Sequence, residues 1–392
     1  MAGLRPTLRT VADAAGVSPM TVSNAYNRPD QLSVGTRDRV LLVAAQLGYA
    51  GPSPAGRSLR RGRSDTVGVL LTERLPYAFA DPGLLALLHG LASGLAEAGQ
   101  ALLLVPTDLP PRPDDGASPL ASALPRPTGA AVAEPAVPAV AAVPVVRTGI
   151  VQSAIVDALV LCSLSPDDPA VTAAIARRIP LVTVGSPRLP GVPFVGIDNE
   201  QAAAAAARHL FELGHRRVGV VSVPRGSYAD GRPARTGIRD RVTGFLSTLR
   251  ESGISPSGVT VIEASGHSQS AGATAAAELL RLPPRRRPTA IFAVTDVLAL
   301  GVLQAASELG LDVPKALSVV GFDDIAEASR TVPPLTTVAQ PLFEQGRVTA
   351  ALVLAQIAGR TVRSPRLRTH LTVRGTTGPP RSGHRSHGQA SR

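Results

Sequence analysis

Residues 7–63, TLRTVADAAGVSPMTVSNAYNRPDQLSVGTRDRVLLVAAQLGYAGPSPAGRSLRRGR, constrain the fold more tightly than any other part of the chain. Residues 10–15 read as a short helix, Gly16 and Val17 as a tight turn, and Ser18-Pro19 as the start of a second helix. Ser18 can cap the free N–H groups there, and proline at the first helical position loses no hydrogen bond. Two short helices around a glycine turn form a helix-turn-helix pattern. Val11, Ala14, Val17, Val22 and Ala25 supply the apolar inner side, leaving Pro19, Met20, Ser23, Asn24 and Asn27 for the outer one. A third helix is bounded by Ser33 as cap and Gly48 as stop, with Val40, Ala44 and Leu47 at helical spacing. Prolines 52 and 54 then interrupt the chain before AGRSLRR, a turn or two of helix with almost nothing to bury.

The charge supports a nucleic-acid partner for this end. Of the net charge of +11, residues 1–63 carry +6, from nine Arg and three Asp with no Lys or Glu. Such asymmetry suits a polyanion bound at the amino end. With 392 residues the chain can bury a large core in two or three units. No run of about 20 apolar residues offers a membrane span, and the first six residues are no signal peptide, so a cytoplasmic protein is expected. Cys162 stands alone in an apolar run, which excludes an internal disulfide and leaves no cysteine-based zinc site. No metal or cofactor is expected. Neither G-x-G-x-x-G after a strand, a Walker loop, H-E-x-x-H nor G-x-S-x-G occurs, so the common enzyme chemistries lack their residues and no catalytic residue is assigned.

From Thr66 onward, short apolar runs alternate with helical stretches. The runs at 67–71, 101–106, 158–163, 181–185 and 194–198 form one series, with helices near 82–98 and 168–178. A second series has runs at 218–223, 259–264, 290–294 and 317–322 and helices near 200–213, 238–252, 270–281 and 296–309. Nearly continuous apolar strands separated by helices imply parallel sheets covered on both faces. Two such sheets imply two similar subdomains whose strand ends enclose a ligand cleft. Residues 336–341 and 367–374 read as late strands. Residues 109–147, dominated by Pro and Ala, and the tail 379–392 have neither periodicity and are expected to be disordered.

The segments TLRTVADAAGVSPMTVSNAYN, VGTRDRVLLVAAQLGY and GRSLRRGR together resemble the DNA-binding headpiece and hinge of LacI/GalR-type transcriptional regulators. The resemblance implies an all-α helix-turn-helix headpiece (1–52), a hinge helix (53–63) and an α/β periplasmic-binding-protein-like effector domain (64–378). Within the last, the first subdomain would comprise about 64–198 plus 326–341 and the second about 199–325 plus 342–375. Carried over by motif, Pro19, Met20 and Asn24 would read base edges in the major groove, with Thr7, Thr21 and Ser23 contacting DNA beside them. Asn is suited to adenine N6 and N7, and Met20 to a thymine methyl. In the hinge, Leu59 would wedge into the minor groove while Arg57 and Arg60 track phosphates. In the effector domain, Arg241 of RVTGF matches the effector-binding arginine of an R-x-x-G-aromatic pattern, and Asp296 and Asp198 match two cleft carboxylates. Thr72, Tyr77, Phe79 and His267 come from loops that match the pocket loops. The function implied is that of a homodimeric repressor on a palindromic double-stranded DNA operator, controlled by a small-molecule effector of carbohydrate type. A nucleobase-like corepressor, or no effector at all, is the alternative within the family; an α/β enzyme or an exported solute-binding protein is the alternative outside it.

Overall fold

The computed structural model describes residues 6–51, 62–71, 78–107, 148–223 and 236–381. The expected hinge, the Pro/Ala-rich insert and nearly all of the expected disordered tail lie outside the described residues, as do Arg57, Leu59, Arg60, Thr72 and Tyr77. The chain forms two compact units, residues 1–66 and 67–392.

The first unit contains α1 (Leu8–Ala15), α2 (Pro19–Asn27) and α3 (Val34–Gln46). Thr7 caps α1 through a reciprocal pair with Thr10, Ser18 caps α2 and Ser33 caps α3, each accepting from a backbone N–H of the first turn. Gly16 ends α1 in the left-handed region at φ 64°, the conformation that glycine adopts without the Cβ penalty of other residues. The core between the helices is Val11, Ala12, Ala15, Val22, Ala25, Val40 and Ala44. Three expectations differ in the structure. Ala14 is exposed and Ala15 takes its place inside; Leu47 lies 39% exposed while Tyr49 turns back onto the core. Ser23, expected on the outer face, is buried, because Asn27 one turn later donates its Nδ2 to the Ser23 carbonyl (2.9 Å) and to its hydroxyl (3.3 Å).

The second unit is built on two sheets. The first contains β1 (Thr66–Leu71), β2 (Ala101–Pro106), β3 (Ala158–Cys162), β4 (Leu181–Val184) and β5 (Phe194–Val195), in the order β2-β1-β3-β4-β5. The second contains β6 (Val218–Ser222), β7 (Val259–Glu263), β8 (Ala290–Ala293), β9 (Ser318–Asp323), β10 (Thr336–Ala339) and β11 (His370–Thr372), in the order β11-β10-β9-β8-β6-β7. All pairs from β7 to β10 are parallel, and only the edge strand β11 runs antiparallel to its neighbour. Read from β2 and from β7, the two sheets share one winding order, with the reversal beside β1 in the first and beside β6 in the second. Buried on both faces, the central strands β3, β6 and β8 show continuous apolar runs rather than alternation.

Helices α4 (Pro82–Glu97), α5 (Thr148–Ser153) and α6 (Pro169–Ala176) accompany the first sheet. Helices α7 (Asn199–Glu212), α8 (Thr236–Glu251), α9 (Gln269–Leu280) and α10 (Asp296–Glu308) accompany the second. The expected division of the chain after residue 325 is reversed. Strand β10 continues the second sheet beside β9, and the segment after it, α11 (Leu342–Ile357), packs in the core of the first sheet through Ala350 and Val353. The physical reason lies in small residues. A Cβ built on Gly90 of α4 would stand 1.9 Å from the Phe343 carbonyl oxygen, and one on Gly346 of α11 would stand 2.1 Å from that of Leu87. The two backbones therefore approach as only glycine permits, and Arg347 closes the rim with a bidentate ion pair to Glu97. The chain then crosses back to form β11.

Gly90→Ala is accordingly expected to destabilise this unit by about 2 kcal/mol despite alanine's better helix propensity. A urea titration of the full chain checks it: a midpoint unchanged or raised would mean that the helices can separate freely.

Candidate functional site: a cleft between two sheets

A cleft runs between the carboxyl ends of the two sheets. Leu71 ends β1, Cys162 and Ser163 end β3, Gly185 and Ser186 follow β4, Thr295 follows β8, Asp323 ends β9 and Gln340 follows β10, and all of them line it. This is where ligands bind in open α/β sheets, because there the strands stop and the helix N-termini begin. Its volume is about 120 Å³, below the roughly 300–1,000 Å³ usual for ligand pockets.

Arg241 is the centre of the second-lobe wall. Its Nη1 donates to the Val294 carbonyl (2.7 Å) and to Asp323 Oδ1 (3.1 Å), its Nε donates to Asn199 Oδ1 (3.0 Å), and its guanidinium lies 3.7 Å over the Phe322 ring. The motif that carries it is explained by packing. Three residues on, Gly244 runs against the backbone of Glu200, where a Cβ would meet the carbonyl oxygen at 2.2 Å, and Phe245 stacks on Phe292 in the core at 4.3 Å. Arginine, glycine and aromatic thus serve the cleft, the approach to α7 and the core. Asp323 holds φ 124° and Asp324 φ 58°, a strained pair kept in place by its partners: Gln340 donates to Asp323, and Arg374 to Asp324 at 2.6 Å. On the first-lobe wall Ser163 also has positive φ (53°), and a Cβ on Gly185 would lie 2.7 Å from its hydroxyl.

His267 belongs to the cleft, as expected. Its Nε2 is 2.8 Å from Thr295 Oγ1 and its Nδ1 is 3.5 Å from Asp81 Oδ2. The other expectations are corrected. Asp296 is fully buried behind the cleft wall, accepting from the Ile325 N–H (3.0 Å) and the Thr337 hydroxyl (2.6 Å); the cleft residue is its neighbour Thr295, which caps α10. Asp198 caps α7 and turns outward to Arg366, while the next residue, Asn199, faces the cleft. Both errors are one residue at a helix start, where successive side chains diverge by a large angle. Phe79 is 56% exposed and does not line the cleft, because the adjacent Ala78 takes the buried position. Asp323, Thr295, Asn199, Gln340 and Asp81 are cleft residues that the sequence reading passed over. The signal was the pair of acids in GFDD directly after a buried strand.

Burial pushes Asp296 up to about 7 and Asp323 up to about 6, and in each case a neighbouring carboxylate adds to the effect. Arg241 opposes the rise at Asp323 but does not cancel it. A carboxyl raised in the folded state binds its proton more tightly there than when unfolded. Its contribution is therefore fully present at low pH and is lost as pH rises from the ordinary carboxylate range to the raised values. Thermal unfolding from about pH 4 to about pH 8 should show stability falling up to about pH 7 and levelling off above it, and Asp296→Asn should flatten the fall. An unchanged slope in the variant would show that Asp296 is ionised throughout.

Among the described residues no helix is long and apolar enough to cross a membrane. A helix-turn-helix unit is joined in one chain to two parallel sheets with a cleft between them, the arrangement of a DNA-binding regulator. The pattern described as "Bacterial regulatory proteins, lacI family" matches residues 7–51, and that of a "Periplasmic binding protein-like domain" matches residues 207–377. An HTH-type transcriptional regulator of Mycobacterium tuberculosis is 35% identical, over 96% of this chain and 98% of its own. The HTH-type transcriptional repressor CytR of Escherichia coli is 31% identical, over 95% of this chain and 96% of its own. The solved complex of the transcriptional regulator CelR with cellobiose is 29% identical, covers 95% of this chain and all of that one, and superposes with a TM-score of 0.60. The chain belongs to the LacI family: it is a DNA-binding transcriptional regulator and not an enzyme.

Proposed function

We propose that the protein is a homodimeric repressor that binds a palindromic operator and is controlled by a carbohydrate-type effector held in the cleft. The observation that carries the effector half is the convergence of Arg241, Asn199, Asp323, Gln340, Thr295 and His267 on the second-lobe wall of the cleft. Charged, amide and hydroxyl groups on one wall supply directional donors and acceptors, the means by which a polyhydroxyl ligand is fixed. That CelR is named as a complex with cellobiose supports the same class.

For DNA, Pro19 and Met20 project from the first turn of α2, and Met20 is 67% exposed, an apolar side chain with no role in the headpiece core. Asn24 follows one turn later, its amide 3.4 Å from Gln31 Oε1, an exposed contact that is readily exchanged for an adenine edge. Thr21 and the capping Thr7 flank this face. Ser23 is left out of the contact set because it is buried. The hinge residues Arg57, Leu59 and Arg60 would add phosphate contacts and the minor-groove wedge. Paired half-sites need two headpieces, hence a dimer.

Selection of bound sequences from random DNA by the full-length protein, at a stated moderate salt, tests this reading. An inverted repeat with a fixed, easily kinked centre is the expected result. Binding that depends on salt but enriches no sequence would contradict it.

A further inference from the structure

The two walls of the cleft touch through a chain of side chains that joins one lobe to the other. Asp81 sits at the start of α4 in the first lobe. Its Oδ1 is committed to the helix, accepting from the N–H groups of Gly83 (2.9 Å) and Leu84 (3.2 Å), which leaves Oδ2 to face His267 Nδ1 across the cleft at 3.5 Å. His267 belongs to the second lobe, between β7 and α9, and its other nitrogen meets the hydroxyl of Thr295 at 2.8 Å. Thr295 in turn caps α10. Both ends are anchored in helix starts, and the side chains of Asp81 and His267 are only 10% and 9% exposed. The bonds from Arg241 to Val294, Asp323 and Asn199 lie within the second lobe, and the cluster reaches the first lobe through Gln340, which accepts from Gln345 of α11 at 3.1 Å.

We propose that Asp81, His267 and Thr295 form a latch between the lobes, and that protonation of His267 sets how firmly it holds the cleft closed over a ligand. A neutral imidazole has one N–H and can donate to only one of its two partners. With Asp81 on one side and Thr295 on the other, the added proton gives a donor to each and places a full positive charge against a carboxylate shielded from water. Closure is then favoured at the acidic end of the range in which histidine titrates. Among the described residues, the charged groups around the latch include Asp323, which is close enough to Asp81 to feel its charge, Arg241 on α8, and Asp296 behind Thr295. Asp323 and Asp296 also take up protons as pH falls. Removing His267, with both of those carboxyls left intact, separates the latch from them, whereas removing the charge of Asp81 also relieves Asp323 of its repulsion, so the two variants are read together.

The inference rests on the cleft being the effector site, but its test needs no effector. Full-length protein carrying Ala98→Cys on the first lobe and Ser307→Cys on the second is spin-labelled, Cys162 being buried, and the distance between labels is measured without ligand. Between about pH 8 and about pH 6 the ratio of closed to open population should rise roughly three- to tenfold. His267→Gln and Asp81→Asn, each checked for native circular dichroism, should remove that response; the amide introduced by Asp81→Asn retains an oxygen for the α4 cap. A wild-type distribution that does not change with pH, or a response that survives in both variants, overturns the latch. Cellobiose titrated calorimetrically at the same two pH values separates this outcome from that of the functional reading. A latch that responds to pH in a protein that binds no sugar removes the carbohydrate assignment alone, and sugar bound with lobes indifferent to pH removes the latch alone.

Discussion

The contact between Arg241 and Asp323 organises the second half of the molecule. Both groups are nearly withdrawn from water, a state that costs several kcal/mol per ion unless geometry and further hydrogen bonds offset it. The offset comes from four places in the chain: the Val294 carbonyl at the end of β8, Asn199 at the start of α7, Gln340 after β10, and the face of Phe322 within β9. The left-handed backbone at Asp323 is the strain that this convergence holds in place. Removing either partner would leave an uncompensated buried charge. The residues that line the ligand wall are thus the same ones that satisfy the ion pair.

A second constraint is the way the chain divides itself between lobes. It leaves the first sheet after β5, returns after β10 as α11, and leaves again for β11. The return is possible because Gly90 and Gly346 let α4 and α11 meet backbone to backbone. Short crossing segments between two separately cored sheets are the arrangement in which hinge closure occurs without loss of either core. On the proposed function, a ligand bound in the cleft acts only through a difference in its affinity for the open and closed arrangements.

Much of this was legible in the residues. The strands are short apolar runs, so composition alone located β1, β2, β6 and β9 to within a residue or two, and Ser18, Ser33 and Gly16 marked the headpiece helices. Arg241 and His267 were found because their positions follow a motif and a loop. What failed depends on direction and on distant packing. Asp198 and Asp296 look like ligand carboxylates in sequence, but which of two adjacent residues at a helix start faces the cleft is decided by the cap: Asp198 caps and leaves Asn199 inward, while Thr295 caps and sends Asp296 into the core. The lobe to which α11 belongs was equally hidden, since the glycines that admit it to α4 lie far apart in the chain and carry no local signal. Ser23 turned inward because of a bond to Asn27 that helical periodicity alone does not reveal.

The central claim is that occupancy of the cleft and occupancy of DNA are linked through one protein. Linkage is reciprocal: the factor by which an effector changes operator affinity must equal the factor by which operator changes effector affinity. The decisive measurement is therefore sugar affinity, determined calorimetrically, on the free full-length protein and on the protein saturated with its selected operator. The account predicts two different affinities whose ratio matches the change in operator affinity with saturating sugar, a factor of roughly 5 to 150. Identical sugar affinities in the two states would contradict it, for the cleft would then bind its ligand without governing DNA.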